Sequence, residues 1–242
     1  HSSDDGATWA APNEITKTTK DPSWGWYATG PGVGIQIKHG AHKGRLVIPC
    51  DHSYDDPNGK LQGGGFEFGA HSIHSDDHGK TWQLGGTIRP KTNECQVVEI
   101  AEGTGALLMN MRSYFGRKRR THSVSKDGGT AWSSPVDAPR LIEPVCQGSI
   151  IRLRWMKQSK PGVLLFSNPA SEKGRIKMTV RASFDDGTTW PVARVLHSGP
   201  SAYSCLVSLP ENAFGCLYEA GEKNAYESIV FHRLPGSALQ LP

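Results

Sequence analysis

The chain has 242 residues, a net charge of +4, and a composition that is 36% hydrophobic and 21% charged, the profile of an ordinary globular chain. No apolar run approaches the ~20 residues that cross a bilayer as a helix, so no transmembrane segment is expected. The small basic excess suits an anionic ligand and does not ask for nucleic acid. The cysteines Cys50, Cys95, Cys146, Cys205 and Cys216 contain no Cys-x-x-Cys pair, so they suggest neither a zinc site nor a disulfide framework. They read as mostly buried thiols, with at most one bridge. The start, His1-Ser2-Ser3-Asp4, is neither an initiator methionine nor a signal peptide and leaves the compartment open.

The first element in the chain is a turn, Ser2-Ser3-Asp4-Asp5-Gly6-Ala7-Thr8-Trp9, of pattern S-x-D-x-G-x-T-W. The pattern returns at residues 75–82 and 183–190, and imperfectly at 125–132, where Ala131 replaces threonine. An aspartate that accepts nearby backbone N–H groups and a glycine at positive φ make such a segment a tight turn. Thr and Trp then open a strand, with the indole packing beneath the turn. Asp-x-Gly alone is common in loops, but copies spaced 73, 50 and 58 residues apart indicate a repeated β unit.

Between the copies lie pairs of apolar runs separated by turn residues, each predicting a hairpin. Residues 34–37 and 45–49 form the first pair, 95–100 and 106–111 the second, 149–153 and 163–166 the third, and 203–207 and 215–218 the fourth. The only helical signal is weak and sits near the end, at 236–241. Four hairpin-plus-turn units describe four-stranded propeller blades. No linker or low-complexity segment interrupts residues 1–242, which predicts one domain.

With these turns in place, the chain resembles the sialidases (neuraminidases), whose "Asp box" or BNR repeat is this turn. The functional resemblance rests on further segments: residues 24–32 (WGWYATGPG), Asn93-Glu94-Cys95-Gln96, Met109-Asn110-Met111-Arg112, Ser167-Asn168-Pro169 followed by Arg175, Ser201-Ala202-Tyr203-Ser204, and Cys216-Leu217-Tyr218-Glu219. The resemblance implies an all-β, six-bladed propeller with a site on its axis. It implies retaining hydrolysis of terminal α-linked sialic acid, with a tyrosine nucleophile in place of the usual second carboxylate. The match carries that nucleophile to Tyr203 and its partner carboxylate to Glu94. Two of three arginines that clamp the substrate carboxylate fall on Arg112 and Arg175, and Glu219 matches the acid that holds the first arginine of that triad. Asp51, read as following the strand at 45–49, falls where the family places glycerol-side contacts, and Gln147, in Cys146-Gln147-Gly148-Ser149, is a further candidate substrate contact. No metal or cofactor is implied; the expected partners are sialylated glycoproteins, glycolipids or oligosaccharides.

The residue types suit this chemistry. Sialic acid carries a carboxylate on its anomeric carbon, which repels a carboxylate nucleophile; a phenol is neutral and needs only an adjacent base. Arginine offers carboxylates a planar, permanently charged fork that lysine lacks. The first arginine of the family, in an Arg-Ile-Pro segment, and the general-acid aspartate after it precede the first Asp box and have no match from His1 onward. The resemblance therefore implies a missing N-terminal blade and weak activity of this chain alone. Two alternatives remain open: a sialic-acid-binding propeller without the acid, and trans-sialylation. The basic run Arg117-Lys118-Arg119-Arg120 lacks interleaved aromatics and reads as a solvated loop rather than a nucleic-acid patch.

Overall fold

A computed structural model describes residues 1–55 and 66–241, and the described chain is almost entirely β. The first sheet holds β1 (Tyr27–Thr29), β2 (Ile35–Gln36), β3 (Leu46–Asp55), β4 (Phe66–Ser75) and β5 (Gln83–Ile88); β1 and β2 both pair with β3. The second is a meander of β6 (Thr92–Ile100), β7 (Ala106–Ser113), β8 (Arg119–Ser125) and β9 (Val136–Ile142). Six further strands follow in sequence order: β10 (Ser149–Arg154), β11 (Val163–Pro169), β12 (Ile176–Ser183), β13 (Val192–Ser208), β14 (Phe214–Ala220) and β15 (Ser228–Leu234). All pairings are antiparallel.

The four expected hairpins are present as β2–β3, β6–β7, β10–β11 and β13–β14. Their partner was less legible. β13 pairs with β12 through Pro200 and with β14 from Ser201 onward, so one 17-residue strand leaves one sheet and enters the next at Gly199-Pro200. The weak helical signal resolves to a 3-10 turn, Gly236–Leu239, and one four-residue helix, Thr16–Thr19, was not anticipated.

Three of the Asp boxes join consecutive strands, β4 to β5, β8 to β9 and β12 to β13; the first, residues 2–9, precedes β1. In all four, the serine hydroxyl accepts the glycine N–H and the aspartate accepts the backbone N–H four residues on. Asp77 accepts the Thr81 N–H at 2.9 Å and its hydroxyl at 2.7 Å, while Ser75 Oγ accepts the Gly79 N–H at 2.8 Å. These bonds, led by those from Thr81, lower the Asp77 carboxyl to about 2. Gly79, Gly129 and Gly187 hold φ values of 85°, 91° and 89°, where a side chain is strained. The imperfect copy keeps the backbone bond, Ala131 N–H to Asp127 at 2.9 Å, and lacks the hydroxyl. Ala131→Thr is therefore expected to stabilise the fold by about 0.5 kcal/mol, the low end for one added hydrogen bond at an exposed position; urea denaturation measures it. The indoles differ from one another. Trp190 is buried, but Trp9 is 73% exposed, so the first box contributes no tryptophan to the core of the described chain.

Apolar clusters sit between consecutive sheets. Val98, Leu108, Leu141, Ile150, Phe166 and Trp190 join the second sheet to β10–β11, and Leu165, Val180, Phe214 and Tyr218 join β11–β12 to β14. Every residue of β11 is buried, because a sheet covers each of its faces. All five cysteines are free thiols, four of them buried. The basic run is no simple loop: β8 begins at Arg119, which pairs with Glu172, and Arg120 points inward with 0% exposure.

Candidate active site

The site forms at the strand ends away from the Asp boxes. In β7, Leu107 lies opposite Ser125 at the box end, and Met111, just before Arg112, lies opposite Thr121 at the other. Glu94 stands near the start of β6 at this same end, and Tyr203 follows the sheet crossover in β13. Although 109 residues apart, the two side chains meet: the Tyr203 hydroxyl donates to Glu94 Oε1 in a very short hydrogen bond. Glu94 Oε2 accepts from Arg112 Nη1 at 2.8 Å, completing a chain Arg112–Glu94–Tyr203.

Tyr203 is half-buried, and that burial, with the Glu94 bond second, pushes its phenol well above the usual range. It is neutral at physiological pH, with a base already aligned to its proton. Burial opposes the Arg112 charge, but the Glu94 carboxylate outweighs it and the guanidinium stays protonated. The Arg175 guanidinium lies 5.8 Å from the Tyr203 ring centroid and donates to the Tyr226 hydroxyl at 2.8 Å. Both arginines thus border Tyr203, one through Glu94 and the other over its ring.

Three other expected residues take roles the sequence did not specify. Glu219 Oε2 accepts the Tyr203 backbone N–H at 2.9 Å; the first arginine it is expected to hold has no match in this sequence. Gln147 borders the same cleft, but its amide bonds only to backbone: Ser204 N–H, Ser204 carbonyl and Pro31 carbonyl, at 2.9, 2.9 and 3.2 Å. It is 2% exposed, and both of its N–H donors are taken by these carbonyls. Asp51 lies within β3 rather than after a strand, is 0% exposed, and neither carboxylate oxygen has a hydrogen-bond partner. Burial first, then the Glu94 charge, raises its carboxyl to about 8.

Asp51 makes stability pH-dependent. Its folded value lies above its unfolded one, so the folded state holds the proton more tightly. The stabilisation is complete at low pH and is lost as pH rises from about 4 to about 8. Asp51→Asn does not titrate. Between pH 5 and pH 9 it is expected to gain about 3 kcal/mol relative to the parent, discounted from the full shift. Urea melts at the two pH values test this; parallel pH dependence in both proteins would refute it.

Sequence reasoning missed the walls. A cavity of about 560 Å³ beside Glu94 and Arg112 is lined by Trp26, Ser53, Phe68, Asn93 and Tyr114, and the buried Asn93 amide nitrogen has no partner. Trp26 lay within the quoted WGWYATGPG segment, but nothing local marked Phe68 or Tyr114. A second cavity of about 270 Å³ is lined by Tyr203 together with Pro31, Gln147, Leu217, Glu219 and Ile229. A third, of about 310 Å³, sits at the far ends of the inner strands, among Val33, Lys38, Arg152 and Trp155, and contains none of the expected site residues. Among the described residues no cluster of three His, Cys, Asp or Glu side chains could hold a metal ion.

Comparison with known proteins places this geometry in context. A family model described as BNR repeat-like domain matches residues 1–216. A sialidase of Micromonospora viridifaciens is 38% identical over 97% of the chain, and one of Bacteroides fragilis 35% identical over 90%. The solved structure of Hadza microbial sialidase Hz136 superposes with a TM-score of 0.80 at 36% identity over 98% of the chain. The chain spans 35% and 38% of the two bacterial relatives' lengths and 43% of that structure.

Proposed function

This chain belongs to the sialidase family built on BNR repeats, and on that premise we propose that it releases terminal α-linked sialic acid from glycans by a retaining mechanism. The observation that carries the proposal is the Tyr203–Glu94 hydrogen bond, flanked by Arg112 and Arg175. Tyr203 Oη forms a bond to the anomeric carbon as that carbon's bond to the glycosidic oxygen breaks, and the phenolic proton passes to Glu94. The departing oxygen takes a proton from a general acid or, on an aryl substrate, leaves without one. Water then attacks the anomeric carbon, the Tyr203 bond breaks, and Glu94 returns the proton to the phenolate while the water's proton goes to solvent. Arg112 and Arg175 hold the substrate carboxylate, with Arg112 turning part of its fork from Glu94 to the ligand. Asp51 is buried beside Glu94 with no exposed surface, so it is given no direct contact with the sugar. Residues 1–242 act as one domain of a six-bladed propeller with the site on its axis.

The test is release of sialic acid from an aryl α-sialoside and from a sialylated oligosaccharide. A good leaving group needs less protonation, so turnover is expected on the aryl substrate first, by a margin within the ~10²–10⁴-fold that a positioned acid contributes. Binding of sialic acid without release would favour the non-catalytic alternative, and neither binding nor release would overturn the reading.

A further inference from the structure

The backbone around Tyr203 is held by side chains rather than by its sheet. The β13–β14 register slips between Ser201 and Ser204, so Tyr203 lies in an irregular stretch of the ladder. Such a stretch leaves peptide groups in need of other partners. Glu219 Oε2 accepts the Tyr203 N–H, and the Gln147 amide pairs with both polar groups of Ser204, accepting its N–H and donating to its carbonyl, each at 2.9 Å. One side-chain amide thus does for Ser204 what a neighbouring strand would do. Its second N–H donates to the Pro31 carbonyl at 3.2 Å, tying β13 to the loop after β1.

Gln147 is itself anchored. The preceding carbonyl, Cys146, accepts from Arg120 Nη1 at 2.6 Å, and Arg120 pairs with Glu143 at 2.8 Å. Glu143 Oε1 accepts the Ser113 N–H at 2.8 Å, one residue from Arg112. A continuous path of buried polar contacts therefore runs from the backbone beside Arg112 to the backbone beside Tyr203.

We propose that Gln147 is a positioning residue that sets the placement of Tyr203 against Glu94 by clamping the Ser204 peptide. Its kinetic consequence rests on the reading of Tyr203 as nucleophile; its structural consequence does not. Gln147 touches no reacting atom, since its amide is engaged by backbone. Loss of the clamp frees an irregular segment, and a displacement near 1 Å at a reacting group costs on the order of 10²-fold in rate.

The experiment compares the parent with Gln147→Met, which keeps the shape and removes all three bonds, and Gln147→Glu, which can still accept the Ser204 N–H but cannot donate to either carbonyl. Steady-state kinetics on an aryl sialoside are expected to show kcat lowered ~10–100-fold by Gln147→Met, less by Gln147→Glu, with KM within about threefold of the parent. The second readout needs no activity: 3-fluorotyrosine placed at 203 is followed by ¹⁹F NMR against pH. In the parent it should titrate well above free fluorotyrosine, and in the variants its midpoint should fall toward the free value as the Glu94 bond loosens. If Gln147→Met does not fold, Gln147→Glu carries both readouts. A folded variant with the parent's kcat and the parent's ¹⁹F titration overturns the proposal. An inactive parent would count against the hydrolase reading alone, because the ¹⁹F comparison would still decide whether Gln147 places Tyr203.

Discussion

Tyr203→Phe is expected to lower turnover of an aryl sialoside by about 10³-fold or more, with little change in stability. The substitution removes one oxygen and keeps the ring, which packs against Cys146, Ala202 and Ala225. Glu94 is not stranded by it, because Arg112 still bonds to its second oxygen at 2.8 Å. The loss is therefore chemical rather than structural. Without the phenol no covalent bond to the anomeric carbon can form, and Glu94 is left with water as the only proton donor it can activate. Two measurements check this: kcat, and intact mass after exposure to a fluorinated sialosyl fluoride, which should label the parent once, at Tyr203, and leave Tyr203→Phe unlabelled. A variant retaining a tenth of the parent's turnover would remove Tyr203 from the chemistry.

Glu143→Ala is expected to cost about 3–5 kcal/mol of folding stability, the largest single loss in the buried polar framework. Arg120 and Glu143 both have 0% side-chain exposure and are bonded at 2.8 Å. Removing the carboxylate leaves a buried guanidinium whose remaining partners, Asn110 Oδ1 and the Cys146 carbonyl, carry no compensating charge. It also orphans the Ser113 N–H. Burial raises the Glu143 carboxyl despite the opposing Arg120 charge, so desolvation outweighs pairing at this residue. A buried pair of this kind adds little over an apolar replacement, and the double substitution Arg120→Met/Glu143→Leu should recover most of the loss. Urea denaturation of the single and double variants decides it: an additive pair of penalties would show that the two residues are not coupled.

The fold was legible wherever its causes were local. An Asp box is complete within eight residues, because the bonds that close it run among its own serine, aspartate, glycine and threonine; four copies therefore announced the repeated unit, and even Ala131 could be read as a missing hydroxyl. Alternating apolar runs around short turns gave the hairpins for the same reason. The identities of Tyr203, Glu94, Arg112 and Arg175 came from family motifs, whose residues recur in fixed local contexts.

What the sequence left undecided depends on packing between sheets. Arg120 ends a run of four basic residues that reads as a solvated loop, yet β8 turns it inward onto Glu143, which no local signal marks as its partner. Gln147 reads as a ligand contact because it stands beside the site, but only the slipped register of β13 against β14 shows that Ser204 needs a side-chain partner. Asp51 reads as a polar contact for the substrate, and only the packing of β1, β4 and the second sheet around it leaves its carboxyl buried without a hydrogen bond. Glu219 also takes the Tyr203 N–H, a bond that no motif announces. The sequence by itself determined the turns and the hairpins between them and singled out the candidate site residues, since each is specified by neighbours a few positions away. Tertiary structure alone decided which of those residues are charged, buried or held in place, because desolvation and hydrogen-bond satisfaction depend on atoms brought together from as far as 109 residues apart.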